Sequence, residues 1–340
     1  MTWTKQRLPA DHPPVESGRI GVLVVNLGTP EAPETGAVRR YLAEFLSDPR
    51  VIEIPSLLWQ PILRGIILNT RPQKSAEAYR KVWTKAGSPL AAITADQAAG
   101  LQERLGEAVK VDWAMRYGEP SIPAKLEKLV EAGCDRILLA PLYPQYCGAT
   151  TATVVDKAAD WLRSRRWQAS LRTLPPYHDD PAYIDALASD LSRQLDALDF
   201  TPEVLLLSFH GMPERTLLKG DPYHCHCRKT ARLLEAALAR PDMRMVTTFQ
   251  SRFGRAKWLE PATDTTLMEE AARGTKRLAV AAPGFSADCL ETLEELAIQG
   301  REQFEEAGGE QFAALSCLNT SDAGMRMLEA ILRRELAGWI

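Results

Sequence analysis

A histidine stands where a strongly apolar stretch of the chain ends. Residues Leu205–Phe209 read Leu-Leu-Leu-Ser-Phe, and His210, Gly211 and then Pro213 follow. This pattern predicts a buried strand that delivers His210 to its carboxyl end, where open α/β sheets bind their ligands. An imidazole at that position can bind a metal or accept a proton. The alternative is a structural histidine that only hydrogen-bonds a backbone carbonyl.

Three carboxylates follow a later apolar stretch of the chain. Asp288, Glu291 and Glu295 have i, i+3 and i+7 spacing, which would place them on one face of an α-helix. A purely structural role is the alternative, because Asp288 and Glu291 fit a capping box at a helix start. Opposite His210, mutually repelling carboxylates could dehydrate and hold a divalent cation and accept protons. We therefore predict a metal site made of His210, Glu291, Asp288 and Glu295.

A second group of metal-binding residue types lies downstream of the histidine. Cys225 and Cys227 occur in the sequence His224-Cys-His-Cys227, and thiols two residues apart can share a soft metal. Cys147 is the third candidate ligand. An iron–sulfur cluster needs four ligands, and no fourth is evident. Free thiols packed at a helix start are the alternative.

These residues must be positioned by a regular alternation of short apolar runs and longer amphipathic stretches. That alternation predicts parallel sheets with crossover helices. The predicted strands are residues 20–26, 109–115, 136–141, 169–174, 204–209, 243–249, 277–283 and 311–315. The predicted helices are residues 95–105, 120–132, 151–165, 181–198, 228–238, 262–273, 288–306 and 321–336.

The eight strands divide into two sets of four that resemble diverged copies. Leu27-Gly-Thr-Pro30 matches His210-Gly-Met-Pro213, and Arg116-Tyr-Gly118 matches Arg252-Phe-Gly254. We therefore predict two similar α/β domains, each with a four-stranded parallel sheet, and a ligand cleft between them. The predicted boundaries are an N-terminal arm at 1–17, domains at 18–165 and 166–319, and a C-terminal helix at 320–340.

Composition excludes several classes of function. The chain has 340 residues, 45% of them hydrophobic, and a net charge of -3, so no basic surface favours nucleic-acid binding. Neither G-x-G-x-x-G nor G-x-x-x-x-G-K-[ST] occurs, which disfavours nucleotide binding. The start of the chain has no apolar segment typical of a signal peptide, and no stretch approaches the ~20 apolar residues of a membrane span. We expect a cytoplasmic protein.

One long connection in the first copy has an unusual composition. The segment at 51–70 is strongly apolar and contains Pro61 and Gly65. It could be an interrupted core helix. The alternative is an apolar lip beside the cleft, suited to an apolar substrate or to peripheral contact with a membrane.

Several sequence blocks, in order from Gly21 to the final helix, resemble the ferrochelatases, which insert ferrous iron into a porphyrin to make haem. The blocks are Tyr143-Pro-Gln-Tyr146, Ser208-x-His210-Gly-x-Pro213, Gly220-Asp-Pro-Tyr223, Gln250-Ser-Arg252, Trp258-Leu-x-Pro261 and Phe285-x-x-Asp288-x-x-Glu291-Thr-Leu293. The resemblance implies two flavodoxin-like domains, with the final helix packing on the first. It also implies a lyase that acts on protoporphyrin IX and Fe²⁺ and needs no cofactor for the chemistry. It makes His210 and Glu291 the catalytic pair, with Asp288 and Glu295 as a path for metal or protons.

The resemblance also implies which residues line the porphyrin cleft: Tyr79, Ser88, Arg116 and Trp258. Some bacterial members of the family carry a [2Fe-2S] cluster on internal cysteines, for which Cys147, Cys225 and Cys227 are the candidates here. Cys289 stands where many relatives have a histidine, so the extent of the acidic path is open. A chelatase for coproporphyrin or cobalt, or a non-catalytic haem or metal carrier, would keep the same cleft and ligands.

Overall fold

The computed structural model describes residues 18–254 and 256–340. The predicted N-terminal arm at 1–17 lies outside the described residues. The described chain forms two open parallel sheets, each covered by helices on both faces. Parallel strands buried on both faces need nearly continuous apolar sequence, and this is the pattern that the apolar runs supply.

All eight predicted strands are present, and their order confirms the predicted fold class. The strands are β1 (Arg19–Gly28), β2 (Val109–Tyr117), β3 (Cys134–Pro141), β4 (Ser170–Thr173), β5 (Val204–His210), β6 (Arg244–Gln250), β7 (Arg277–Ala281) and β8 (Gln311–Ala314). The sheet orders are β2-β1-β3-β4 and β6-β5-β7-β8, and every pair is parallel. The two sheets therefore have one topology, as expected for a repeated unit.

The repeat extends to the turns at the strand ends. A Cβ on Gly28 would lie 2.0 Å from the carbonyl oxygen of Tyr117, and one on Gly211 would lie 2.5 Å from that of Gln250. Only glycine permits such a close approach of two strands. This contact explains why the landmark glycine recurs in both copies, one residue after Leu27 in the first and after His210 in the second.

Twelve α-helices and three π-helical segments connect and follow the strands in the described part of the chain. The α-helices are α1 (Thr35–Ser47), α2 (Ser56–Ile62), α3 (Leu68–Val82), α4 (Pro89–Leu105), α5 (Ile122–Glu131), α6 (Thr153–Arg163), α7 (Pro181–Asp196), α8 (Glu214–Leu218), α9 (Tyr223–Leu238), α10 (Thr263–Ala272), α11 (Gly300–Glu306) and α12 (Asp322–Glu335). The π-helical segments are Leu63–Ile67, Gly148–Ala152 and Glu291–Gln299. The sequence patterns did not predict α1, α8 or most of α3.

The first sheet and the terminal helix bear on where the domains divide. Strand β4 pairs with β3, so the first sheet extends to Thr173, whereas the proposed boundary follows residue 165. The terminal helix α12 packs on α4 and on α7. Ion pairs from Arg104 on α4 to Asp322 and Glu329 on α12 accompany the first contact.

Candidate metal-insertion site

A cleft with about 780 Å³ of empty space lies between the two domains. Its walls come from the carboxyl end of β1, helices α1 and α3, the start of α4, the loop after β3, the end of β5, the start of α9 and the loop after β7. The lining residues are mostly apolar and aromatic: Asn26, Leu27, Gly28, Thr29, Tyr41, Tyr79, Ser88, Leu90, Leu142, Tyr143, Gln145, Thr150, His210, Tyr223, Gly284, Phe285, Ser286, Ala287, Cys289, Leu290 and Glu291.

His210 is the last residue of β5 and lines this cleft. Its Nδ1 lies 2.7 Å from the backbone carbonyl oxygen of Gly211. Because a carbonyl only accepts, Nδ1 must carry a proton, so in the neutral form of the ring the lone pair is on Nε2. The backbone bond that the structural alternative requires is therefore present, and the imidazole also lines the cleft.

Glu291 reaches the same cleft from the opposite segment of the second domain. It is the first residue of the π-helix Glu291–Gln299, which follows the loop after β7, the strand beside β5. Two buried tyrosines of the first domain, Tyr41 and Tyr79, lie near Glu291. Burial raises the pKa of Tyr79 above its ordinary value, and the charge of Glu291 raises it further. Tyr79 therefore remains a neutral phenol beside the carboxylate.

Asp288 and Glu295 do not extend the row of free carboxylates that α-helical spacing predicts. Asp288 is buried and precedes the π-helix, and its carboxylate accepts hydrogen bonds from Asn319 Nδ2 at 2.6 Å and Thr292 Oγ1 at 2.9 Å. Glu295 accepts from the amide of Ser251 at 2.7 Å and its hydroxyl at 2.5 Å. Asp288 lies before the π-helix that begins at Glu291, so the α-helical spacing that would place all three carboxylates on one face does not apply.

The environment of Glu295 still relates it to the site. Burial raises the pKa of Glu295, whereas hydrogen bonds from Ser251 and the charge of His210 lower it, and the net pKa is above the ordinary value. Within residues 18–254 and 256–340, no group of three or more His, Cys, Asp or Glu side chains is arranged to hold a metal ion. The cleft thus offers His210 and Glu291 as a pair, with Glu295 behind them.

Of the four residues that the resemblance assigns to the porphyrin cleft, two line it. Tyr79 and Ser88 are in its wall, and the Ser88 hydroxyl accepts a hydrogen bond from Thr29 Oγ1 at 2.8 Å. Trp258 is absent from the wall but lies beside the turn after His210, with its ring 3.3 Å from where a Cβ of Gly211 would be.

Arg116 is also absent from the cleft wall, because buried partners engage its guanidinium. It forms an ion pair with Asp48, donates to the Thr153 carbonyl at 3.0 Å, and stacks 4.2 Å from the centre of the Tyr117 ring. Its role in the described structure is to connect β2 to α1 and α6.

Sequence patterns missed the polar floor of the cleft in the first domain. Asn26 Nδ2 lies 3.3 Å from Thr94 Oγ1 and 3.5 Å from Ser286 Oγ, so it links both domains beneath the cavity. The signal that could have found it is the repeated landmark, because Asn26 directly precedes Leu27, the counterpart of His210.

The cysteines do not fit a [2Fe-2S] cluster in this arrangement. Cys225 and Cys227 lie two residues apart on α9, so their side chains point to different faces, and Cys225 is exposed whereas Cys227 and Cys147 are buried. Burial raises the pKa of Cys147 to about 12 and that of Cys227 well above its ordinary value. Cluster ligands are thiolates, so buried neutral thiols match the alternative of packed free cysteines better.

Comparison with known proteins identifies relatives along the whole described chain. The family model described as Ferrochelatase matches residues 19–336. A ferrochelatase of Rhizobium meliloti (strain 1021) is 55% identical over 334 residues, which is 97% of this chain and 98% of the relative. One of Methylocella silvestris is 50% identical over 347 residues, covering 99% of this chain and all of the relative.

Solved structures with low sequence identity share the fold. SirB from Bacillus subtilis, solved with Fe³⁺, has a TM-score of 0.57 at 12% identity and covers 94% of this chain and 96% of its own. CbiX, the terminal enzyme for siroheme biosynthesis in denitrifying bacteria, has a TM-score of 0.51 at 13% identity, covering 94% and 100%.

Proposed function

The chain belongs to the ferrochelatase family, and from that premise we propose that it inserts Fe²⁺ into protoporphyrin IX, giving protohaem and two protons in haem biosynthesis. It is a lyase with a porphyrin and iron as substrates. The observation that carries the residue assignment is the meeting of His210 and Glu291, from β5 and the π-helix, on the wall of one largely apolar cleft.

Metal insertion requires that two pyrrole N–H protons leave and that the cation lose its water. The neutral His210 ring, with a lone pair on Nε2, can accept a proton or bind the metal, and Glu291 is its partner. A site with two rather than four protein ligands suits a cation that must leave for the macrocycle. Tyr79 and Ser88 are the porphyrin contacts that we propose from the first domain.

The charge of the cleft wall favours protoporphyrin over coproporphyrin. None of the cleft-lining residues that the structure describes is a lysine or arginine. Coproporphyrin has four propionate carboxylates and protoporphyrin has two. A wall without cations offers nothing to pair with the additional charges, whereas its apolar residues suit the vinyl groups of protoporphyrin.

The assay that tests the function follows porphyrin fluorescence after mixing with Fe²⁺ without oxygen. Repeated turnover identifies an enzyme, whereas loss that stops at one porphyrin per chain identifies a carrier. A parallel reaction with coproporphyrin tests the substrate choice. Faster insertion into coproporphyrin than into protoporphyrin would contradict the charge argument.

Variants test the catalytic pair. We expect His210→Ala to lower kcat at least 100-fold, the usual scale of losing a general base, with porphyrin affinity within about threefold of wild type. Glu291→Gln is expected to lower kcat as well. Glu294→Gln is the matched control, because Glu294 pairs with Lys81 at 2.8 Å and does not line the cleft. Near-normal turnover of His210→Ala would refute the assignment.

We also propose peripheral contact with a membrane through an apolar lip, formed by Ile54, Leu57, Leu58, Ile62 and Ile66. The insert is helical, as expected of an interrupted core helix. However, these side chains are exposed, as expected of an apolar lip. Leu218 on α8 is also exposed. A segment with several exposed apolar side chains suits contact with lipid, from which an apolar substrate would arrive.

Ion pairs connect the start of the lip with the segment around α8. Glu53, directly before Ile54, lies 2.5 Å from Lys219 Nζ and 3.8 Å from Arg215 Nε, both on the α8 side. None of the helices in the part of the chain that the structure describes is long and apolar enough to cross a membrane. The contact that we propose is with the membrane surface, at its cytoplasmic face.

A further inference from the structure

Gln250 ends β6 directly beside His210, and its main chain fixes the turn that follows the histidine. The two residues are partners in the register of β5 and β6. The Gln250 carbonyl accepts a hydrogen bond from the Gly211 amide at 2.7 Å, in the close approach that only glycine allows.

The Gln250 side chain is buried and connects the two segments that carry the catalytic pair. Its Oε1 accepts a hydrogen bond from Ser208 Oγ on β5 at 2.7 Å. Its Nε2 donates to the backbone carbonyl of Glu291 at 3.3 Å. A primary amide has an acceptor and a donor on one planar group, so it can satisfy both partners, whereas a carboxylate or an aliphatic side chain cannot.

The next residue strengthens the same connection. Ser251 donates its amide and its hydroxyl to the carboxylate of Glu295, four residues along the π-helix from Glu291. Consecutive residues at the end of β6 therefore hold the helix at two points nearly one turn apart. Strand β6 fixes the turn that follows His210. The end of the same strand thus also sets the position of the π-helix that carries Glu291.

We propose that Gln250 is a positioning residue for metal insertion: its amide sets the distance and orientation between His210 and Glu291. Gln250 does not line the cleft, so it acts through these two residues and not through the porphyrin. The inference rests on the proposed function of the pair. It predicts that loss of the amide slows insertion with little effect on porphyrin binding.

The first variant is Gln250→Leu, which keeps most of the side-chain volume and removes both hydrogen bonds. Because a misplacement of about 1 Å in a catalytic group can cost about 100-fold in rate, we expect kcat to fall at least tenfold. The KM for protoporphyrin should stay within about threefold. Gln250→Asn keeps the amide but is one methylene too short to reach both partners, so it should show the same split.

Thr248→Val is the matched control, because it removes a hydrogen bond from the same buried region without touching Gln250. Thr248 is fully buried on β6, and its hydroxyl lies 2.9 Å from that of Thr263, which in turn lies 2.8 Å from Ser208 Oγ. We expect a comparable fall in Tm with kcat within twofold of wild type. A merely structural role for Gln250 would give all three variants the same kinetics.

A double-mutant cycle tests whether Gln250 acts through Glu291. In the Glu291→Gln background, Gln250→Leu should lower kcat by less than threefold, because the group that it positions has already lost its charge. Additive effects, or a Gln250→Leu variant with the kcat of Thr248→Val, would overturn this inference alone. A wild-type chain that inserts no iron, or a Glu291→Gln variant with full activity, would overturn the proposed function and this inference with it.

Discussion

The apolar lip allows a quantitative prediction about membrane binding. The side chains of Leu57 and Leu58 are 91% and 65% exposed on α2. Fully burying a leucine contributes about 2 kcal/mol, so moving both from water into lipid contributes about 3 kcal/mol. Replacing both with serine should therefore weaken partitioning onto a vesicle about 100-fold, since 1.4 kcal/mol is about a factor of ten.

The measurement is co-sedimentation with vesicles of phosphatidylcholine, a lipid without net charge, at several lipid concentrations. Neutral lipid isolates the apolar contribution from attraction between charges. Iron insertion into detergent-dispersed porphyrin should be unchanged in the Leu57→Ser, Leu58→Ser double variant. That result separates membrane contact from chemistry at His210.

A matched double variant, Trp167→Ser with Met268→Ser, removes apolar side chains that are 53% and 43% exposed outside the lip. It should bind vesicles as the wild type does. The reasoning is refuted if the wild type does not sediment with lipid, if the lip variant binds as well as the wild type, or if the control loses as much affinity as the lip variant.

Three further predictions concern side chains that do not line the cleft: Asp288, Asp48 and Cys225. Asp288→Ala should lower the free energy of unfolding by about 3 kcal/mol, since its carboxylate accepts three hydrogen bonds of about 1 kcal/mol each. It should lower Tm by about 4 °C and leave kcat within threefold of wild type. A kcat loss like that of Glu291→Gln would instead support a metal path. Burial by itself would raise the pKa of Asp48, but hydrogen bonds from Thr153, the Arg50 amide and Tyr117, with the Arg116 charge, make the folded-state pKa lower than usual. Its stabilisation is therefore present above pH ~4 and lost as the pH falls through the folded pKa, so denaturant titrations should show a gap between wild type and Asp48→Asn that narrows below pH ~4; a gap that widens there would contradict the sign. Finally, a thiol reagent should label one cysteine rapidly in the native protein, and Cys225→Ser should remove that reaction, because the other five thiols are buried; slow labelling of Cys225 in the purified protein would indicate that something covers it.

The strands and their order could be predicted because each depends on local sequence. Apolar runs such as Val204–Phe209, bounded by turn residues, form strands wherever both faces are buried. The repeated glycine at 28 and 211 marked equivalent strand ends, and the structure explains it by the contact with the neighbouring strand. Helix α1 was missed. Whether the insert is buried or exposed was left open, because an apolar helix has the same sequence pattern in a core and on a lip.

The sequence also predicted that His210 and Glu291 lie at one cleft, because the ends of neighbouring parallel strands, and the segments that follow them, lie at the same edge of the sheet. Both residues line the cleft, and their roles stay a prediction. The partners of the other charged residues expected at the site were not predictable. Asp288, Glu295 and Arg116 have the charges expected of a site, yet their partners are Asn319, Ser251 and Asp48, which lie far away in the chain.

The sequence by itself determined the fold class, the family and the two residues at the cleft. Only the tertiary structure decided which charged groups are free to act there. The reason is that a side chain's type and spacing set what it can bind, whereas packing between distant segments, and a helix that begins at Glu291 with π rather than α geometry, set what it does bind.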